Sequence, residues 1–175
     1  SDILRDKQNH FYDNPQSQYP GAPVPQKPTM SEKTPPTAVE ILNRFYATER
    51  IYMSAPPDKR DFTGMAATLS PTMTLHQSPD LPYGGTYSGH EGFLNWSQEM
   101  AERFDVVDVQ NPRVLEGGGD EVVVLSELKL RVRRTAEEWL KPFAQVVKVD
   151  RAQGAITEIR PFYWDVKGLN DVLGK

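Results

Sequence analysis

The chain has 175 residues, a formal charge of −4 and no cysteine. That is one domain's worth of chain, and the lack of thiols excludes disulfides, thiolate nucleophiles and cysteine-ligated metals. The acidic balance argues against a nucleic-acid surface, which needs a clustered positive field. No apolar run reaches membrane-spanning length and the N-terminus lacks a signal peptide's apolar core, so no membrane partner and a cytoplasmic location are expected.

Residues 1–36 form the first unit, read as an arm. Pro15, Pro20, Pro23, Pro25, Pro28, Pro35 and Pro36 stand there among Gln, Asn, Ser and Asp. Such a stretch buries too little apolar surface to offset its ordering entropy. Phe11, Tyr12 and Tyr19 are its aromatic anchors. Residues 37–175 form the second unit, a folded domain.

Thr37 or Pro36 opens the first helix, with Ala38, Leu42, Phe45, Tyr46, Tyr52 and Met53 on one face. Asp61 is placed to cap a second short helix through Leu69, and Thr72 to Ser78 reads as a strand. The run Leu81-Pro-Tyr-Gly-Gly-Thr-Tyr-Ser-Gly-His-Glu-Gly-Phe93 is a glycine-rich turn feeding a third helix. Ser88 and Glu91 stand there at capping-box spacing, and Phe93, Trp96, Met100 and Phe104 make an apolar stripe. Strands follow over Val106 to Glu116, Glu121 to Arg133, Trp139 to Asp150 and Ala155 to Trp164. A short helix closed by Gly174 ends the pattern. Helices early and strands late predict an α+β fold with a mainly antiparallel sheet.

The glycine-rich turn, read with Ile159-Arg-Pro-Phe-Tyr-Trp-Asp165, resembles the SnoaL-like branch of the nuclear-transport-factor-2-like superfamily. The resemblance covers roughly Thr37 to Gly174. It implies a strongly curved sheet wrapped around the N-terminal helices to form a cone-shaped pocket. It also implies a homodimer and a small-molecule site of the kind used in secondary metabolism.

Periodicity nominates pocket residues. At about 100° per residue, Glu49 falls at the centre of the apolar arc of the first helix. A carboxylate there is either a desolvated acid/base group or a rim residue that reaches solvent or pairs with an arginine. In the first strand Met73, Leu75 and Gln77 share one face and His76 the other. Phe143, Gln145, Val147 and Val149 form one row of a later strand. Glu127, Lys129, Arg131 and Arg133 line the outward side of theirs, facing solvent or a subunit.

Ketosteroid isomerases of the resembled superfamily use an aspartate base, an oxyanion tyrosine and a second acid. Those roles fall here on Gln77, Phe45 and Gln145, none of which can perform them. The resemblance to SnoaL-like cyclases and scytalone dehydratase-like enzymes implies Asp/His pairs, for which Asp80, His76, His90 and Asp165 are available. Asp165 reads equally as the N-cap of the last helix.

The expected function is a cofactor-independent isomerase, cyclase or dehydratase acting on a largely apolar, polyketide- or terpenoid-like metabolite. Glu49 is the first acid/base candidate and Asp165 the second. Phe45, Gln77, Tyr83, Trp96, Phe143, Gln145 and Tyr163 are the expected substrate contacts, although Trp96 and both tyrosines suit core packing as well. His10, His76 and His90 show no metal-ligand spacing, so no metal is expected. The alternative is a non-catalytic binding or dimerisation module of the same fold.

Overall fold

A computed structural model describes residues 33–175. The expected arm, with His10, Phe11, Tyr12 and Tyr19, lies outside the described residues apart from its last positions.

Helix α1 (Ala38–Ser54) starts at a reciprocal cap. The Thr37 hydroxyl accepts from the Glu40 N–H at 3.2 Å, and the Glu40 carboxylate accepts from the Thr37 N–H at 2.7 Å. Ala38, Ile41, Leu42, Phe45, Glu49, Tyr52 and Met53 follow helical spacing along its buried face. After a single 3-10 turn at Pro57–Lys59 comes α2 (Thr63–Ala66), where the Asp61 carboxylate accepts from the Thr63 N–H. This helix is shorter than expected, because Leu69 already begins strand β1 (Leu69–Gln77).

A second, short strand that the sequence pattern did not announce, β2 (Gly85–Ser88), turns back on β1, with Gln77 opposite Gly85 and Thr74 opposite Ser88. Gly84 is required in the intervening turn, since a Cβ there would collide with the Ser78 carbonyl oxygen. Helix α3 (Gly89–Arg103) begins directly at β2. The expected Ser88–Glu91 capping box does not form. Ser88 is extended and paired in the sheet, its side chain makes no cap, and Gly89 at φ +69° turns the corner. Phe104 is buried as expected, but as the first residue of β3 (Phe104–Glu116) rather than the end of the helical stripe.

Strands β4 (Glu121–Val132), β5 (Glu138–Asp150) and β6 (Ala155–Tyr163) complete one curved, unclosed sheet of order β2-β1-β6-β5-β4-β3. Every neighbouring pair is antiparallel except β1 and β6, which run parallel. Strand alternation places Met73, Leu75, Val122, Val124, Leu128, Leu130, Val147 and Ile159 on the buried side, against α1 and α3. Arg133 departs from its expected outward place. Its guanidinium donates to the carbonyls of Met53, Ala101 and Phe104, tying the C-terminal ends of α1 and α3 to the sheet. Helix α4 (Val166–Leu173) closes the fold, with Asp165 at its N-cap and Gly174 left-handed at its C-cap. No helix among the described residues is long and apolar enough to cross a membrane.

Candidate active site

Between α1, α3 and the concave side of the sheet, side chains from β1, β3, β4, β5 and β6 close around a cavity. Its volume is about 20 Å³, room for one water-sized molecule between the side chains. The wall is apolar, with Phe45, Phe93, Met100, Val107, Val109 and Leu128 among its members. Its polar groups are few: Glu49, Gln77, Trp96, Gln145 and Tyr163.

Glu49 is 5 % exposed and reaches the cavity from the middle of the α1 face. Neither a hydrogen bond nor an ion pair to its carboxyl is found among the described residues. Burial pushes its pKa up to about 8; Arg50 pulls it down and Asp108 adds to the rise. Those two neighbours are occupied with each other, Arg50 Nη1 lying 3.3 Å from Asp108 Oδ1. Near neutrality the carboxyl therefore carries its proton.

The amides and phenols are held in an ordered set. Tyr46 donates to Gln145 Oε1 at 2.5 Å. Tyr83 donates to Tyr163 Oη at 3.4 Å. Burial pushes the Tyr163 phenol up to about 12, while hydrogen bonds from Tyr83 and Gln77 pull against the rise and the Glu49 charge adds to it. Two buried atoms in the wall have no partner among the described residues, the Gln77 oxygen Oε1 and the Trp96 indole nitrogen Nε1. A buried acceptor and a buried donor left unpaired each cost free energy that a suitable ligand recovers.

The sequence pattern of the SnoaL-like domain matches residues 50–159. The chain belongs to the SnoaL-like family. Solved structures with the same architecture include an NTF2-like protein of unknown function from Burkholderia pseudomallei K96243. That pair is 17 % identical with a TM-score of 0.63, covering 78 % of this chain and 97 % of the other. TerC co-crystallised with polyporic acid is 19 % identical with a TM-score of 0.63, over 78 % of this chain and 98 % of TerC. A proposed SnoaL-like polyketide cyclase from Shewanella denitrificans OS-217 is 11 % identical with a TM-score of 0.61, over 78 % and 97 %. At these identities the likeness speaks to the fold alone. No curated protein matches the chain.

Within this SnoaL-like domain the expected residues divide. Phe45, Glu49, Gln77, Trp96, Phe143, Gln145 and Tyr163 converge on the cavity. Tyr83 stands behind Tyr163 and outside the cavity wall, so it acts on the site through that hydroxyl. Asp165 is separated from the cavity. Its carboxylate accepts from the Gly168 N–H at 2.7 Å as the α4 cap and lies 3.8 Å from Lys141 Nζ. His90 is likewise committed elsewhere, its Nε2 at 2.9 Å from the Leu69 carbonyl, and His76 lies on the outer side of the sheet. None of Asp80, His76, His90 and Asp165 is part of the cavity wall. Among the described residues no three His, Asp or Glu side chains converge to hold a metal ion. Pro161, a wall residue that the alternation of β6 could have revealed, was missed because proline carries no polar signal.

Proposed function

We propose that this SnoaL-like domain is a cofactor-independent acid/base enzyme. It isomerises, cyclises or dehydrates a largely apolar metabolite of polyketide or terpenoid type. The observation that carries this reading is Glu49, a carboxyl with no partner among the described residues, buried in an apolar cavity and protonated near neutrality. Perturbed carboxyls in clefts are candidates for proton transfer, and a pKa near the working pH suits that task. In the resting site Glu49 is the acid: it hands its proton to a substrate carbonyl or to a departing hydroxyl. The conjugate base then removes a proton from the adjacent carbon, which restores the carboxyl and completes an enolisation or an elimination. Gln77 Oε1 accepts from a substrate O–H, and Trp96 Nε1–H donates to a substrate oxygen.

A second reading, a non-catalytic binding or dimerisation module, is favoured by the tightness of the cavity. One experiment separates the two. Wild type and Glu49→Gln are incubated with a panel of aryl ketones and hydroxyquinones, and turnover and binding are both followed. The enzyme reading expects turnover that falls at least about 100-fold in the variant while affinity is kept. Binding without turnover in either protein supports the module.

A further inference from the structure

The β1–β6 ladder stops early. Its last pair is Leu75 with Ile159, yet β1 continues to Gln77 beside β2 and β6 continues to Tyr163 beside β5. Beyond that pair the two parallel strands part. Pro161 sits in the parted stretch of β6 and has no N–H to offer either neighbour. A groove of about 360 Å³ occupies the gap. Its lining mixes both sides of the sheet: Gln77, Pro161 and Tyr163 from the cavity wall, with His76, Arg160 and Phe162 from the outer side. Three residues are thus shared between the cavity and the groove.

Charge at the outer mouth is asymmetric. Arg160 is the permanently charged residue in the groove lining and no carboxylate is part of that lining. Glu158 stands beside it, 3.7 Å from Arg160 Nη2 and 4.0 Å from His76 Nε2, but Lys148 Nζ holds Glu158 at the shorter distance of 3.0 Å. Arg160 is the looser partner of that carboxylate, and its side chain is half exposed. Its planar fork is suited to a carboxylate or similar oxyanion. At the inner end the unpaired Gln77 Oε1 awaits a donor.

We propose that ligands reach the cavity through the seam between β1 and β6, and that Arg160 at its outer mouth holds an anionic group of the ligand. The substrate of the Glu49 site is then an amphipathic molecule whose apolar body enters past Pro161 by parting the wall side chains, since the closed cavity holds only about 20 Å³, and whose carboxylate-like end stays at the surface. This rests on the reading of the cavity as a small-molecule site.

The test uses two probes with the same arylamine body, 1-anilinonaphthalene-8-sulfonate, which carries an anion, and the uncharged N-phenyl-1-naphthylamine. Both are titrated by fluorescence into the full chain, into Arg160→Gln, and into Val109→Phe, which fills the cavity away from the seam. Circular dichroism and thermal midpoints check that each variant is folded, and Val109→Leu replaces Val109→Phe if the larger side chain unfolds the domain. The expected result is tighter binding of the sulfonate. Arg160→Gln weakens that probe by roughly three- to tenfold and leaves the uncharged probe unchanged. Added salt weakens only the sulfonate, and the cavity-filling variant weakens both probes. Equal affinities for the two probes, or a sulfonate affinity indifferent to Arg160→Gln, overturn the anion subsite and leave the Glu49 reading standing. Binding of both probes undiminished by filling the cavity overturns the seam as an entrance. Binding of neither probe overturns the subsite together with the apolar-ligand reading beneath it.

Discussion

Tyr46 on α1 donates a hydrogen bond to Gln145 on β5, Oη to Oε1 at 2.5 Å, across 99 residues of sequence and inside the core. Burial pushes the Tyr46 phenol well above its ordinary range, so the hydroxyl stays a donor. The bond fixes which end of the Gln145 amide is taken up, leaving its N–H group as the end available to a ligand.

Tyr46→Phe leaves the Gln145 oxygen buried without a donor and is expected to cost about 1–3 kcal/mol. Gln145→Leu removes the stranded acceptor, so the double variant should be less destabilised than the sum of the two single changes. Urea titrations of the four proteins measure the coupling, and strict additivity would contradict it.

Stability should fall as the solution becomes alkaline. Glu49 has a pKa of about 8 in the fold against 4.5 for an ordinary glutamate. Between those values the folded state binds more protons than the unfolded state, so stability declines as pH rises through that window and levels off above about 8. The full loss is on the order of 5 kcal/mol at one pKa unit per 1.36 kcal/mol. Glu49→Gln removes this dependence. Its thermal midpoint should exceed that of the wild type above pH 8 and converge with it near pH 5. Parallel midpoint curves for the two proteins would place the Glu49 pKa at an ordinary value.

The same titration sets the activity profile. An acid must carry its proton, so kcat/KM is expected to fall tenfold per unit as pH rises beyond the Glu49 pKa. Asp165→Asn should leave turnover and its pH profile intact, because asparagine caps a helix nearly as well as aspartate. Asp165→Ala should cost about 1 kcal/mol of stability with no change in the profile. A turnover loss in Asp165→Asn would move the chemistry to the C-terminal motif.

Arg133 clamps the sheet to the helix ends. Replacing it by lysine keeps the charge and loses the fork that reaches three carbonyls, with an expected cost of about 1.5–3 kcal/mol. Chemical denaturation of Arg133→Lys checks this.

A homodimer through the outer side of the sheet is a further expectation. Val123, Leu125, Ala144 and Val146 lie on that side, with Phe162 and Trp164 strongly exposed and Trp164 at 79 %. An apolar patch of this kind on a sheet suits an isologous contact. Light scattering should report a dimer at micromolar concentration and a monomer for Leu125→Lys. This patch meets the mouth of the seam at Phe162, which belongs to both, so a dimer through it would partly cover the groove.

Periodicity carried the reading far where one side of an element is buried. The helical arc of α1 located Glu49, and the alternation of β1 turned Gln77 inward and His76 outward, because burial alone sets those directions. The pattern could not show β2, whose four residues are exposed or half-buried and so carry no apolar alternation. Nor could it show that β6 inserts beside β1, since pairing partners distant in sequence leave no local trace. Ser88 and Glu91 had the spacing of a cap, but the sheet claimed Ser88 first. Arg133 sat on the outward row of β4 by alternation, yet it lies past the strand's end, where alternation no longer governs.

The parallel pairing of β1 with β6 has a consequence for how the domain is made. The last strand in chain order occupies a central place, hydrogen-bonded to β1 on one side and β5 on the other. During synthesis the ribosome therefore releases β1–β2 and β3–β4–β5 as two separate ribbons, each with an open edge, until Tyr163 has emerged. Completion of the sheet waits for β6, and its non-local closure should make folding slow for a domain of this size. In that interval the exposed edges of β1 and β5 are where a nascent chain would meet a chaperone or stick to another copy.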